Sequence, residues 1–250
     1  MLFDPPLIRG RLIKRYKRFL ADILLDNGSS VVAYCPNTGS MIGFTEPGIK
    51  VWLSVDNNKS RKHRYTWELV DYDYAEGPTT VGINTIHPNN LVKEAILNGK
   101  IEALKGYANL HREVRYGNER SRVDILLEDE AKGSCYIEVK NVHLSRKPGL
   151  AEFPDCVTKR GTKHLRELIA MVKKGHRAVI LFLIQRNDIS KISLSWDLDK
   201  DYCREFIKAL ENGVEALAYK CCVRPEQIKI SSKVEISDVI NYELGIYNNH

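Results

Sequence analysis

Residues 121–142, SRVDILLEDEAKGSCYIEVKNV, constrain the chain more than any other stretch. They read as two strands joined by a polar turn. Residues 121–127 and 135–142 both alternate, as side chains on a strand do. The intervening Glu128-Asp129-Glu130-Ala131-Lys132-Gly133 is too polar to bury and ends on a turn-forming glycine. A turn centred near Ala131 sets Asp124 opposite Glu138, with Lys140 one step along the same face. Val123, Ile125 and Leu127 are expected together on the other face of their strand. Two acids facing each other across a sheet repel unless a cation or proton sits between them. A hard divalent cation, which takes carboxylate oxygens, supplies that charge.

The flanking sequence divides in two. Residues 7–13, 19–25, 30–35, 50–55 and 65–72 carry strand signals with no helical period, punctuated by Asn27-Gly28 and Asp56-Asn57-Asn58. Five short strands in so little chain fit a small closed barrel, of which the OB-fold is the commonest type. Ala75-Glu76-Gly77-Pro78 marks the expected boundary. Beyond it we expect a helix over 90–98, a strand over 109–116, the central hairpin, and an amphipathic helix over 162–174. A strand buried on both faces (177–186), a helix (199–212, Asp199 as N-cap) and strands over 214–223 and 228–236 complete the list. Residues 144–157 read as a loop. The fold class expected is mixed α/β, with an OB-like barrel over 1–78, an α/β domain with a mixed central sheet over 79–240, and a tail over 241–250.

Composition narrows the function classes. A hydrophobic fraction of 43% in 250 residues excludes wholesale disorder. The six cysteines form no CxxC pair and no zinc-like spacing, so reduced, packed thiols are expected. The first residues lack a signal-peptide pattern, and the longest apolar run, 178–184, is too short to span a bilayer. A cytoplasmic protein with no membrane partner is the expectation, and nothing indicates a homo-oligomer. The net charge of +6 suits a polyanion partner. Its basic residues concentrate in the first twenty positions and around residue 60. Arg15, Lys17, Arg18, Arg61, Lys62, Arg64 and, further on, Arg160 are the candidate nucleic-acid contacts. Tyr34, Trp52, Tyr65 and Trp67 suit either a base-stacking face or the barrel core. The small, polar loop Pro36–Met41 suits either a ligand contact or a plain connection.

Glu-x-Lys alone is a weak signal, and Glu130-Ala131-Lys132 matches it too. Glu138-Val139-Lys140 differs in lying on a strand, facing Asp124 and preceding a basic helix. Phosphodiester hydrolysis explains why those residue types would occur together. Asp124, Glu138 and a backbone carbonyl can hold Mg²⁺ or Mn²⁺, with Glu94 or Glu113 as a further ligand. Lys140 can orient a water or stabilise developing charge, and Lys163 or Arg160 can meet the scissile phosphate. On a solvated sheet face, the same residues would be a salt-bridge set of little energetic weight.

The helix, three strands, helix, strand order with D…ExK on its second and third strands resembles the PD-(D/E)XK nuclease superfamily. Val123 stands where that motif has proline. More closely, the chain resembles the sugar fermentation stimulation protein A (SfsA) family. The resemblance rests on Arg18-Phe19-Leu20-Ala21, Cys35-Pro36-Asn37-Thr38-Gly39-Ser40-Met41, Ser121-Arg122-Val123-Asp124 and CYIEVK ending at Lys140. It continues with Phe153-Pro154-Asp155, TKRGTKHL from Thr158 to Leu165, and His176-Arg177-Ala178. It implies an OB-like barrel followed by a nuclease-like domain, and binding of DNA. The nuclease-type residues carried over are Asp124, Glu138 and Lys140, with Lys163 and His164 as helix partners. The alternative implied is a non-catalytic DNA-binding regulator linked to sugar metabolism that keeps a nuclease fold.

Overall fold

A computed structural model of the chain describes residues 1–58, 60, 62–74 and 77–237. The expected tail and Arg61 lie outside the described residues. The first sheet holds β1 (Ile8–Tyr16), β2 (Leu20–Leu25), β3 (Ser30–Tyr34), β4 (Lys50–Val55), β5 (Tyr65–Tyr74) and β6 (Gly77–Gly82) in the order β3-β2-β1-β4-β5-β6. A parallel pairing of β3 with β5 closes the first five strands into a barrel. Its core is Leu12, Ile23, Ala33, Val51, Leu53, Trp67, Val70 and Val81. Trp67 is fully buried and donates its indole N–H to the Leu69 carbonyl at 2.9 Å, so it is core and not a stacking face.

The boundary expected at residues 75–78 is displaced. Gly77–Gly82 is a further strand antiparallel to β5, with Pro78 paired opposite Asp73. Proline is tolerated there because β6 is an edge strand, where one missing N–H interrupts no inner ladder. The connection to the second half is therefore residues 83–87, and it is tied down on both sides. Asn37 Nδ2 donates to the Ile83 carbonyl at 3.1 Å, and Thr85 Oγ1 donates to the Pro36 carbonyl. Gln185 Nε2 donates to the Asn84 carbonyl at 3.1 Å.

The second half is built from α1 (Pro88–Leu97), β7 (Asn109–Tyr116), β8 (Ser121–Asp129), β9 (Gly133–Val142), β10 (Leu150–Phe153), α2 (Lys159–Lys173), β11 (Arg177–Ile184), β12 (Lys191–Leu194), α3 (Lys200–Glu211), β13 (Glu215–Arg224), β14 (Gln227–Lys233) and β15 (Glu235–Ile236). A mixed sheet runs β14-β13-β11-β9-β8-β7, with β9, β11 and β13 parallel. The residues of β11 after Arg177 are all buried, as a central parallel strand requires. Helix α1 packs Leu91, Val92 and Ala95 against one face of this sheet, and α2 and α3 cover the other. Both later helices start on a side-chain cap: Thr158 accepts from the Gly161 N–H and Asp199 from the Tyr202 N–H.

The expected loop over 144–157 contains a strand. β10 pairs in parallel with β12, which pairs with β15, giving a small separate sheet. Strands of four and two residues are too short to show alternation, and their partners lie far along the chain. Among the described residues, no helix is long and apolar enough to cross a membrane.

Candidate active site

The hairpin β8–β9 has the expected register, with Ile125 paired to Ile137, so Asp124 falls opposite Glu138. The backbone ladder stops at that point. The Val139 N–H is taken by Asp124 Oδ2 at 2.8 Å, so a carboxylate replaces the next ladder carbonyl and the strands part. The second oxygen, Oδ1, accepts from Asn89 Nδ2 on α1 at 2.8 Å.

The alternation expected for β8 breaks at this residue. Val123 packs in the core beneath α2, whereas Ile125 and Leu127 pack in the core beneath α1. The neighbouring strand switches face in step, since Leu110 lies against the α1 side and Val114 against the α2 side. Glu113, which the register places beside Asp124, has a left-handed backbone with φ of 53°. A non-glycine residue in that conformation is a local irregularity, and here it turns the two strands together.

On β9, Glu138 and Lys140 share the face toward α2. Lys140 Nζ lies 2.9 Å from Glu138 Oε1. His164 Nδ1 contacts the same oxygen and lies 3.4 Å from Lys140 Nζ. Arg160 Nε donates to His164 Nε2 at 3.3 Å. Glu138 is buried, and burial by itself raises a carboxyl pKa. The Lys140 charge and the His164 contact outweigh that and hold it below the usual carboxylate range. Asp124 goes the other way: burial first, then the Glu138 charge, push it up to about 6 against the pull of the Val139 and Asn89 hydrogen bonds. Glu138 Oε2 is buried with no hydrogen-bond partner, as are the hydroxyls of Tyr116 and Tyr202. The Tyr116 and Tyr202 hydroxyls are raised well above their ordinary range, chiefly by burial and then by neighbouring negative charge that includes Glu138.

The other expected residues are placed as follows. Glu94 does not join the carboxylates; it pairs with the Met1 ammonium at 3.1 Å, because α1 presents Asn89 and not Glu94 to the sheet end. Lys163 donates to the Glu119 carbonyl in the β7–β8 turn and belongs to the support of that turn. Arg15 donates to the carbonyls of Arg18, Asn37 and Gly39 at 2.8–3.2 Å, which makes it a brace for the 36–41 loop. Lys17, Arg18, Lys62 and Arg160 are exposed. Arg64 is exposed too, with Nε on the Asp56 carbonyl at 3.2 Å. The 36–41 loop joins the two halves, with Ser40 Oγ donating to the Asp155 carbonyl at 2.7 Å. Asn89, Tyr116 and Tyr202 were not expected at the site. Only the Pro88-Asn89-Asn90 helix start hinted at the first, and single tyrosines carry no spacing signal.

The donor set fits a hard cation. Half-buried Asp124 and buried Glu138 lie opposite each other, Glu138 with an oxygen that no protein group satisfies, and a buried unsatisfied oxygen is costly. Among the described residues no cluster of three or more His, Cys, Asp or Glu forms. Any such ion would draw on backbone carbonyls, waters or substrate for its other ligands, as Mg²⁺ commonly does.

Comparison with known proteins places this geometry. The family model for the SfsA N-terminal OB domain matches residues 13–83, and that for the sugar fermentation stimulation protein RE domain matches residues 86–227. This chain belongs to the SfsA family. A sugar fermentation stimulation protein homolog of Brucella anthropi is 52% identical over 236 residues, covering 94% of this chain and 100% of the relative. The homolog of Rhodospirillum centenum is 52% identical over 237 residues, covering 95% and 100%. The structure of Pyrococcus furiosus SfsA in complex with Ca²⁺ matches with a TM-score of 0.83 at 26% identity, covering 95% of this chain and 100% of that one. The SfsA architecture, an OB domain followed by the RE domain, here a barrel followed by a mixed α/β domain, is thus the fold of this chain. The two family models meet between residues 83 and 86, where the pinned connection begins.

Proposed function

We propose that this SfsA-family protein hydrolyses phosphodiester bonds in nucleic acid, with DNA the favoured substrate, using Mg²⁺ or Mn²⁺ held by Asp124 and Glu138. The observation that carries the reading is the carboxylate pair on facing strands, half-buried Asp124 and buried Glu138 with an unsatisfied oxygen, beside half-buried Lys140. That a homologous SfsA structure holds Ca²⁺, another oxygen-seeking cation, supports it. The metal, when bound, supplies positive charge for the phosphate and makes a coordinated water a better nucleophile at neutral pH. Lys140 holds Glu138 ionised in its buried position and keeps a fixed positive charge where negative charge develops on the phosphate. His164 braces both groups from α2, and Arg160, exposed just beside it, contacts a neighbouring phosphate. The exposed Lys17, Arg18 and Lys62 on the barrel meet the strand further along as sequence-independent phosphate contacts.

The test is cleavage of labelled single- and double-stranded DNA and RNA with Mg²⁺ or Mn²⁺, wild type beside Lys140→Ala and Glu138→Gln. Cleavage that needs the metal and falls by at least a hundredfold in both variants is expected. Equal cleavage in all three proteins would place the chemistry elsewhere. Intact binding with no cleavage in any of them would leave a nuclease fold used only to bind.

A further inference from the structure

The barrel and the nuclease-like domain are connected by more than the chain. At the end of the barrel, Glu68 is buried yet fully engaged. Its Oε1 accepts from Ser54 Oγ at 2.6 Å, and its Oε2 accepts from Asn84 Nδ2 at 2.7 Å and contacts His87 Nε2 at 2.7 Å. Burial raises its pKa, and the His87, Ser54 and Asn84 contacts more than reverse that, so the carboxylate stays charged. His87 is the residue immediately before α1, and its ring packs edge-on against Phe3. Two residues later, Asn89 donates to Asp124. The start of α1 is thus held by a barrel carboxylate on one side and delivers an amide to a site carboxylate on the other. No side chain caps this helix, and the Glu68–His87 contact fixes the residue before its first turn without satisfying a backbone N–H.

A second route runs through the same connection. The Gly82 N–H donates to the Gln185 carbonyl at 2.8 Å. The Gln185 side chain donates to the Asn84 carbonyl and, at 2.8 Å, to Asn141 Oδ1, next in sequence to Lys140. Asn84 therefore contacts Glu68 directly and is linked to β9 through Gln185.

We propose that Asn89 is a positioning residue for Asp124, and that the barrel, through Glu68 and His87, holds it in place. This rests on reading Asp124 and Glu138 as cation-binding carboxylates. The barrel then serves as part of the support of the catalytic site, besides any contact it makes with nucleic acid. Ligating carboxylates are themselves oriented by hydrogen bonds, and losing such a partner typically weakens metal binding 10- to 100-fold.

The experiment uses the full chain labelled with ¹⁵N only at asparagine. The Asn89 side-chain amide signals are assigned by their loss in Asn89→Leu, which keeps the side chain's size but removes the donor. Glu68→Gln and His87→Phe are then compared with wild type; the second keeps the ring against Phe3 and removes only its nitrogens. Both are expected to move or broaden the Asn89 amide signals and to weaken Ca²⁺ binding, followed by calorimetry, by about 10- to 100-fold. Unchanged Asn89 signals in His87→Phe, with the rest of the spectrum intact, would overturn the proposal. Should wild type bind no Ca²⁺, the cation reading of the site falls. The Asn89 signals in the two variants still decide whether the barrel holds that residue.

Discussion

Asp124 is the site carboxyl whose charged form the fold disfavours. Its folded pKa, pushed up to about 6 by burial and Glu138, lies above the ordinary value of 3.8. The fold therefore favours the protonated form. Below pH 4 the residue costs nothing, and its penalty grows as pH rises from 4 through 6, then stays constant. Asp124→Asn removes the charge but sets an amide donor against one of the two groups that donate to Asp124. What the repulsion fixes is therefore the pH dependence: without metal, the variant should gain on wild type by on the order of 1–2 kcal/mol between pH 4 and pH 7.5. That relative gain should be complete above pH 6, and Ca²⁺ should raise the wild-type Tm at pH 7.5 more than at pH 5. Thermal melts at the three pH values check this; a variant-to-wild-type difference that stays constant from pH 4 to pH 7.5 would remove the repulsion argument. The placing of Asp124 opposite Glu138 was legible because the polar turn fixes the hairpin register, and Lys140 because side chains alternate along β9. Asn89 was not, because a single amide at a helix start has no pattern to betray its partner 35 residues on.

Among the elements, α2 matters most to the site because His164 and Arg160 sit in its first turns. Its start depends on Thr158, whose hydroxyl accepts from the Gly161 N–H at 3.1 Å. Thr158→Ala should cost about 1 kcal/mol, lower the Tm by about 2–4 °C, and reduce cleavage more than nucleic-acid retention. Equal losses in both would mean that the helix start does not bear on the site. The turn between β7 and β8 is held from the same helix, since Glu167 accepts from the Asn118 N–H at 3.0 Å and from the Glu119 N–H. Gly117 in that turn has φ of 72°, and a Cβ there would collide with the Glu167 carboxylate. Gly117→Ala should therefore destabilise by about 1–3 kcal/mol, read as a drop in denaturant midpoint; an unchanged midpoint would show that the turn relaxes freely. Helices α2 and α3 announced themselves in sequence through apolar stripes and caps. The β10-β12-β15 sheet did not, because its strands are shorter than the pattern that reveals a strand.

Over the whole molecule, positive charge matters by where the fold leaves it. Arg9 is paired with Asp26 at 2.6 Å and Lys14 with Asp22 at 3.5 Å, while Arg15 is consumed by backbone carbonyls. Lys17 and Arg18, on a left-handed turn with φ of 49° and 64°, remain exposed. Affinity for nucleic acid should fall steeply with salt, and Lys17→Ala/Arg18→Ala should flatten that dependence by about two phosphate contacts. Arg15→Ala should instead lower the Tm by loosening the 36–41 loop. Titrations of labelled DNA at several salt concentrations separate the two; an unchanged slope in the double variant would take this turn out of the interface.

The sequence by itself determined the two-part organisation, the hairpin register, the acid-acid-lysine set and the helices that flank it. All of these follow from local periodicity, caps and turn chemistry, which a linear chain displays directly. Tertiary structure alone decided that Glu94 is elsewhere, that Arg15 braces a loop, and that β8 changes face at Asp124. It alone decided that Glu68 in the barrel reaches the start of α1. Those outcomes depend on which segments meet across scores of residues, and on strand twist and burial. Each is set by packing the whole chain and leaves no periodic trace in any one stretch of it.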